Sequence, residues 1–179
     1  TASEPIVWGV DVARFGGDNS ALCVRQGNTV LEIKTFNSMD LMQLCGAIKN
    51  KYDDETAISR PQEILVDVIG LGSGVVDRLA EQHLPVRGVN VSEAPATKRN
   101  YLNLRAELWF AIKDWLGQRD CRLPNDDELV SELAAPIYKY TSSGKIKIES
   151  KEEMKKRGIK SPDRADALAL TMASSAASF

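Results

Sequence analysis

Histidine and cysteine are scarce in this chain, and their scarcity removes one class of chemistry at once. There is one histidine, His83, and three cysteines, Cys23, Cys45 and Cys121, standing far apart in 179 residues. Such a set makes no zinc site of the CxxC or HxxxH kind, and an odd number of dispersed cysteines reads as reduced, mostly buried thiols. No run approaches the ~18 consecutive apolar residues that span a bilayer, and the N-terminus has no basic-then-apolar leader. The reading is therefore neither membrane-bound nor secreted. Opening on Thr-Ala-Ser-Glu-Pro without Met suits either processing or a domain cut from a longer protein. No GxxxxGK[ST] phosphate loop occurs, nor any internal repeat or low-complexity tract. A net charge of −2 gives no global basic footprint, so a nucleic-acid partner would need a local basic patch or cations at an acidic cluster.

What is present is an ordinary globular composition, 43% hydrophobic and 27% charged, of a length that suits one core, residues 1–179 as a single domain. Residues 6–13, 20–25 and 29–36 read as three antiparallel strands joined by short turns, Gln26-Gly27-Asn28 being a hairpin connection. Ser38 is the expected N-cap of a helix running to about Tyr52. Residues 63–69 form a nearly continuous apolar run, as a buried parallel strand requires, and Gly70 to Gly74 turn the chain into a second helix. A fifth strand over 86–91 precedes an amphipathic helix over 101–116 and a short helix over 126–134. Residues 137–148 alternate about Thr-Ser-Ser-Gly144 as an added hairpin. Residues 151–157 are a charged stretch. Ser161 as N-cap and Pro162 at the first helical position open a last helix to about residue 176. The fold class expected is α/β, a five-stranded mixed sheet of three antiparallel strands extended by two parallel ones, with helices on both faces.

Three carboxylates interrupt elements that otherwise want to be apolar: Asp11 in the first strand, Asp67 in the fourth and Asp166 in the last helix. A buried Asp is costly unless paired or bound to a cation. Two carboxylates about 4 Å apart repel by roughly 4 kcal/mol at an effective dielectric of 20. Gathering them calls for a divalent ion, and hard oxygen ligands select Mg²⁺ or Mn²⁺. Strands one and four are neighbours in the expected sheet, so Asp11 and Asp67 meet at the carboxyl edge where open α/β sheets place their sites. Asp163 lies one turn before Asp166 on the same helix face. Taken singly, each Asp could cap a turn or pair with an Arg; together they suggest a metal site.

The segments Trp8-Gly-Val-Asp11-Val-Ala-Arg-Phe-Gly-Gly-Asp18, Val66-Asp67-Val-Ile-Gly-Leu-Gly-Ser-Gly74, Asn103-Leu-Arg-Ala-Glu-Leu-Trp109 and Ser161-Pro-Asp-Arg-Ala-Asp166-Ala-Leu168 carry a family likeness. In this order they resemble the nuclease domain of tailed-bacteriophage terminase large subunits. That resemblance implies a ribonuclease H-like fold and an endonuclease cutting concatemeric double-stranded viral DNA during genome packaging in the host cytoplasm. By motif position it implies Asp11, Asp67 and Asp166 as the catalytic, metal-binding triad, with Asp18 and Asp163 as further ligands. Two Mg²⁺ or Mn²⁺ ions would clamp the scissile phosphate. It also implies a packaging ATPase domain elsewhere in the full-length chain, with the portal and the small terminase subunit as partners. Candidates for phosphate contacts are Lys98, Arg99, Arg105, Lys139, Lys145, Lys147 and Lys160, with Lys155, Lys156 and Arg157 close to the last acidic motif. Contacts of this kind confer little sequence specificity. The alternatives are another ribonuclease H-like nuclease, of junction resolvase or integrase type, and an actin-like nucleotide-binding module.

His83 is expected to close a helix. Trp109 and Trp115, at helical spacing with leucines, are expected in the core. The glycines after the fourth strand lack the third Gly of a dinucleotide fingerprint and are expected to keep backbone close to the metal site or DNA.

Overall fold

Three antiparallel strands, β1 (Ile6–Asp11), β2 (Ser20–Gln26) and β3 (Thr29–Phe36), begin the structure, a computed structural model that describes residues 3–14, 19–97 and 99–175. Helix α1 (Leu41–Asp54) then crosses to β4 (Glu63–Asp67), and α2 (Gly72–Glu81) crosses to β5 (Val86–Val89). The sheet order is β3-β2-β1-β4-β5, with β1 antiparallel to β2 and parallel to β4, and β4 parallel to β5. Helices α3 (Leu104–Gly117) and α4 (Asp127–Ala134), the hairpin β6 (Tyr138–Tyr140) and β7 (Ile146–Ile148), and helices α5 (Lys151–Lys156) and α6 (Asp163–Thr171) complete it. This is the expected ribonuclease H-like architecture with its added hairpin.

Every residue of β1 is buried, because the strand has a helical layer on each side. The two-residue period of a strand then divides its side chains between two cores. Val7 joins Leu65, Leu108, Trp109 and Leu168 on the α3/α6 face. Trp8 and Val10 join Leu44, Ile48, Val75 and Leu79 on the α1/α2 face. Gly9 has a separate reason to be where it is. A Cβ there would lie 2.0 Å from the carbonyl oxygen of Ala167, so α6 rests directly on the β1 backbone. That contact brings the N-terminal turn of α6 to the end of β1.

Several boundaries differ from the sequence reading. Ser38 does not cap α1; it has φ 53°, and Asp40 caps the helix, its side chain accepting from the Gln43 N–H while the Gln43 side chain accepts from the Asp40 N–H. The reciprocal pair satisfies two free N–H groups where one serine would satisfy one. Asn103 caps α3, so Tyr101 and Leu102 precede that helix, and Tyr101 bridges to Ile146 of the hairpin. The charged stretch 151–157 contains a helix, α5, started by a second reciprocal cap between Ser150 and Glu153. Ser161 does not cap α6: Pro162 occupies the cap position, and the Ser161 hydroxyl donates to Asp163 Oδ1 at 2.5 Å. That helix ends at Thr171, short of residue 176. There the buried Arg25 donates to Thr171 Oγ1 at 2.8 Å and to its carbonyl at 2.9 Å. His83 does close α2, at φ 62° with its N–H donated to Ala80. Among the described residues no helix is long and apolar enough to cross a membrane.

Candidate active site

Asp11 is the last residue of β1 and Asp67 the last of β4, each one step beyond the paired residues Val10 and Val66. Parallel neighbours end together, so the two carboxylates stand at the carboxyl edge of the sheet. Gly72, which begins α2, makes the second of these positions possible. A Cβ on it would fall 1.6 Å from the Asp67 carbonyl oxygen, so the helix starts against the backbone of the acidic residue. The Asp67 carboxylate accepts the Ile69 N–H at 3.0 Å.

Helix α6 adds Asp163 and Asp166 from its first turn. Asp166 is 8% exposed and held from α3: Oδ1 accepts the Trp109 indole N–H at 2.9 Å and Arg105 Nη2 at 3.3 Å. Its other oxygen, Oδ2, is buried and accepts no hydrogen bond. It faces the ammonium of Lys151, 3.3 Å away, and that ammonium is where the acidic residues converge. Lys151 Nζ donates to Asp11 Oδ2 at 2.8 Å and to Oδ1 at 3.0 Å, and lies 3.6 Å from Asp163 Oδ1. Among the described residues no three acidic, histidine or cysteine side chains are arranged to close on a metal ion as they stand. The position they surround holds a monovalent cation supplied by α5.

The electrostatics follow from burial and this single ammonium. Burial pushes the Asp11 carboxyl up to about 8, Lys151 opposing and Asp166 and Asp163 adding to the rise. Burial likewise raises Asp67, against the Ile69 N–H, and raises Asp163, against Lys151. At Asp166 burial is outweighed by Arg105, Lys151 and the Trp109 N–H, and its carboxyl is held below the usual range. Lys151 is itself desolvated, yet Asp11, Asp166 and Asp163 raise it further above the ordinary lysine range, so it stays charged. Three carboxylates around one lysine, with Asp67 lining the same cavity, are a donor set of hard oxygens short of positive charge. Asp166 Oδ2, buried without a hydrogen-bond donor, is the atom that most needs a cation. The residues present therefore fit a divalent ion, which would have to displace the lysine.

A cavity of about 230 Å³ opens over this cluster, bounded by Asp11, Asp67, Arg105, Trp109, Lys151 and Asp166. A wider cleft of about 570 Å³ lies on the Asp163 side, where Lys155 and Lys160 join Arg14. The two share Arg14, Lys151 and Glu152 as walls and so adjoin.

Of the residues expected at the site, Asp11, Asp163 and Asp166 meet at Lys151, and Asp67 shares their cavity. Asp18 and Lys98 lie outside the described residues. Arg105, one of the candidates for phosphate contact, lines the cavity. Its side chain is 14% exposed and is committed to Asp166 and, at 2.6 Å, to the Glu149 carbonyl. Lys139 and Lys147 are directly opposite on the hairpin strands, and Lys147 is paired with Glu153 at 2.8 Å. Arg157 clamps Glu149 through Nε and Nη2, both at 2.8 Å. Arg99, Lys145, Lys155, Lys156 and Lys160 are exposed. Trp109 is in the core as expected, but its indole N–H also serves Asp166, as a buried indole donor needs some acceptor. Lys151 escaped the sequence reading altogether, standing in a run of charge with nothing to distinguish it from its neighbours.

Comparison with solved structures finds this fold in phage proteins. The nuclease domain of the large terminase subunit gp2 of bacterial virus Sf6, in a mutant form with manganese and β-thujaplicinol, superposes with a TM-score of 0.83. It is 22% identical, and the match covers 97% of this chain and 90% of that one. The large terminase nuclease of thermophilic phage G20c with bound magnesium gives 0.70 at 17% identity, over 96% of this chain and 81% of that one. The large terminase nuclease domain of Thermus phage P74-26 gives 0.68 at 15% identity, over 93% and 77%. No protein-family model and no curated protein matches the chain.

Proposed function

We propose that this chain is a metal-dependent endonuclease of the terminase large-subunit kind, hydrolysing double-stranded concatemeric viral DNA during genome packaging with little sequence specificity. The observation that carries the reading is the convergence of Asp11, Asp163 and Asp166 on one buried cationic position at the carboxyl edge of the sheet. The fold likeness to phage nuclease domains, among them structures holding manganese, calcium, magnesium or cobalt, supports it. Asp11, Asp67 and Asp166 are the acids we assign to Mg²⁺ or Mn²⁺, with Asp163 beside them and Asp18 as a further candidate. Bound there, two such ions would activate a water and stabilise the departing 3′-oxygen.

The protein's own part is orientation. Trp109 and Arg105 fix one oxygen of Asp166 and leave the other free to face the cation. The adjoining clefts would offer a DNA backbone a path past the acids, with Arg14 lining both, Lys155 and Lys160 one and Lys147 the other. We read residues 1–179 as one nuclease unit with the hairpin at about 137–148 as an insertion. A packaging ATPase domain of the full-length chain, the portal and the small terminase subunit are its proposed partners, in the host cytoplasm.

The test is cleavage of plasmid DNA in Mg²⁺ or Mn²⁺ by Asp11→Asn and Asp166→Asn, each checked for folding by circular dichroism. Both should lose at least about a hundredfold in rate, roughly what removing one transition-state charge stabiliser costs. Folded variants that cut at the wild-type rate would overturn the assignment.

A further inference from the structure

Helix α6 carries two of the four acids in its first turn, yet it has no cap of its own. Pro162 at the cap position has no acceptor side chain, and the neighbouring Ser161 hydroxyl is spent on Asp163. A helix start without an acceptor leaves its first N–H groups unsatisfied and its first turn free to fray. Here the acceptor comes from another helix. Glu132, in the last turn of α4, takes the Ala165 N–H on Oε2 at 3.2 Å, and its side chain is 16% exposed. Ala165 lies between Asp163 and Asp166, so the hydrogen bond fixes the stretch of backbone from which both carboxylates project. Arg164 ties the same two helices together from the surface, with Nε 3.3 Å from Asp126 Oδ2 and Nη1 2.6 Å from Glu128 Oε2.

We infer that Glu132 is a positioning residue for the metal-binding acids: it caps α6 from outside and sets the placement of Asp163 and Asp166 against Asp11. The inference rests on the reading of those acids as ligands. Glu132 itself touches neither the proposed ions nor the DNA. Its oxygen accepts the Ala165 N–H whether the carboxyl is charged or neutral, so a glutamine should serve as well. Arg164 supplies a contrast: it joins α4 to α6 chiefly through Asp126 and Glu128 and does not cap the turn, although its Nη1 also lies 3.9 Å from Glu132 Oε1.

Mn²⁺ binding by titration calorimetry, with thermal unfolding alongside, separates these roles in wild type, Glu132→Ala, Glu132→Gln and Arg164→Ala. Loss of a cap is expected to weaken Mn²⁺ binding by Glu132→Ala about three- to tenfold. The Mg²⁺ concentration needed for half-maximal cleavage should rise by a similar factor, more than the saturated rate falls. Glu132→Gln should bind within about twofold of wild type. Arg164→Ala should lower the melting temperature yet keep wild-type Mn²⁺ affinity. Glu132→Ala with unchanged affinity overturns the inference. So does Glu132→Gln as weak as the alanine variant, which would mean that charge and not capping matters, or Arg164→Ala equally weakened. Wild type that binds no Mn²⁺ overturns the nuclease reading and this one together, and so is distinguishable from failure of this one alone.

Discussion

Lys151 balances part of a charge that the fold creates. Asp11 and Asp166 are buried, and their separate burial would be prohibitive without a cation between them. The lysine satisfies that need with one positive charge on a side chain that is 21% exposed. Replacing it by alanine removes the cation and leaves the acids. In the absence of metal, Lys151→Ala should cost about 3 kcal/mol, the low end for breaking a buried pair, because burial already favours the protonated form of Asp11 and so reduces the repulsion the lysine offsets. That corresponds to a fall in melting temperature of roughly 6–12 °C. Added Mn²⁺ should then raise the melting temperature more in Lys151→Ala than in wild type, since the ion no longer competes with an ammonium. Equal metal-induced shifts in the two proteins would show that the lysine and the ion do not share a place. At this scale the sequence displayed the acids but not their partner. Asp11 and Asp67 are visible because each breaks an apolar strand. Lys151 sits among like residues, 140 positions from the aspartate it contacts, and no local pattern marks it. Glu132 and Gly9 were hidden for the same reason: one is an ordinary helix glutamate, the other an ordinary strand glycine, until α6 is packed against them.

Between elements, the position of Lys151 depends on how α5 is moored. The mooring is Glu149, just after β7, whose carboxylate receives both Arg157 hydrogen bonds and the Ile137 N–H. Arg157 stands at the far end of α5, so the clamp fixes that helix to the base of the hairpin. Its pH dependence has a definite sign. The Arg157 hydrogen bonds, against the residual cost of desolvation, hold the Glu149 carboxyl down to about 2, below its ordinary 4.5. The folded state therefore binds fewer protons than the unfolded one between those values. The stabilisation is complete above about pH 4.5 and is lost as the pH falls towards 2. Denaturant unfolding of wild type and Arg157→Ala should differ at pH 6, and the gap should close progressively between pH 4.5 and pH 2. A gap that stays constant over that range would show that the guanidinium acts by packing alone. The strands of this fold were legible because short apolar, β-branched runs and the Gly- and Pro-bearing turns that bound them are local signals. Helix α5 was not, because its six residues carry one buried side chain, Met154, and a helix so short shows no periodicity. The ends of α1 and α6 were misread where a distant or reciprocal partner, Gln43 for one and Arg25 for the other, decided what a single cap residue could not.

For the molecule as a whole, the proposed function asks a chain of net charge −2 to hold a polyanion. Summed charge conceals the arrangement that would resolve it. The acids are drawn inward around Lys151, while Lys155 and Lys160 stay exposed along the cleft that leads to them. Binding through such lysines releases counterions, so log K falls with log salt by about 0.9 for each phosphate neutralised on a duplex. The double substitution Lys155→Ala/Lys160→Ala should therefore weaken duplex binding and flatten the salt slope by about 1.8 if each lysine meets one phosphate. The change should be equal for two duplexes of unrelated sequence, because backbone contacts carry no base information. Fluorescence anisotropy on the Asp11→Asn background, between about 50 and 200 mM salt, keeps the DNA intact while the slope is read. An unchanged slope would move the DNA off this cleft and onto the hairpin side, where Lys139 and Lys147 face one another across the two strands. Directly opposed like charges there cost a few tenths to about 1 kcal/mol, which Glu153 offsets for Lys147 and a phosphate could offset for Lys139. A loss of slope confined to one of the two sequences would point instead to base reading, which neither cleft supplies through its lysines.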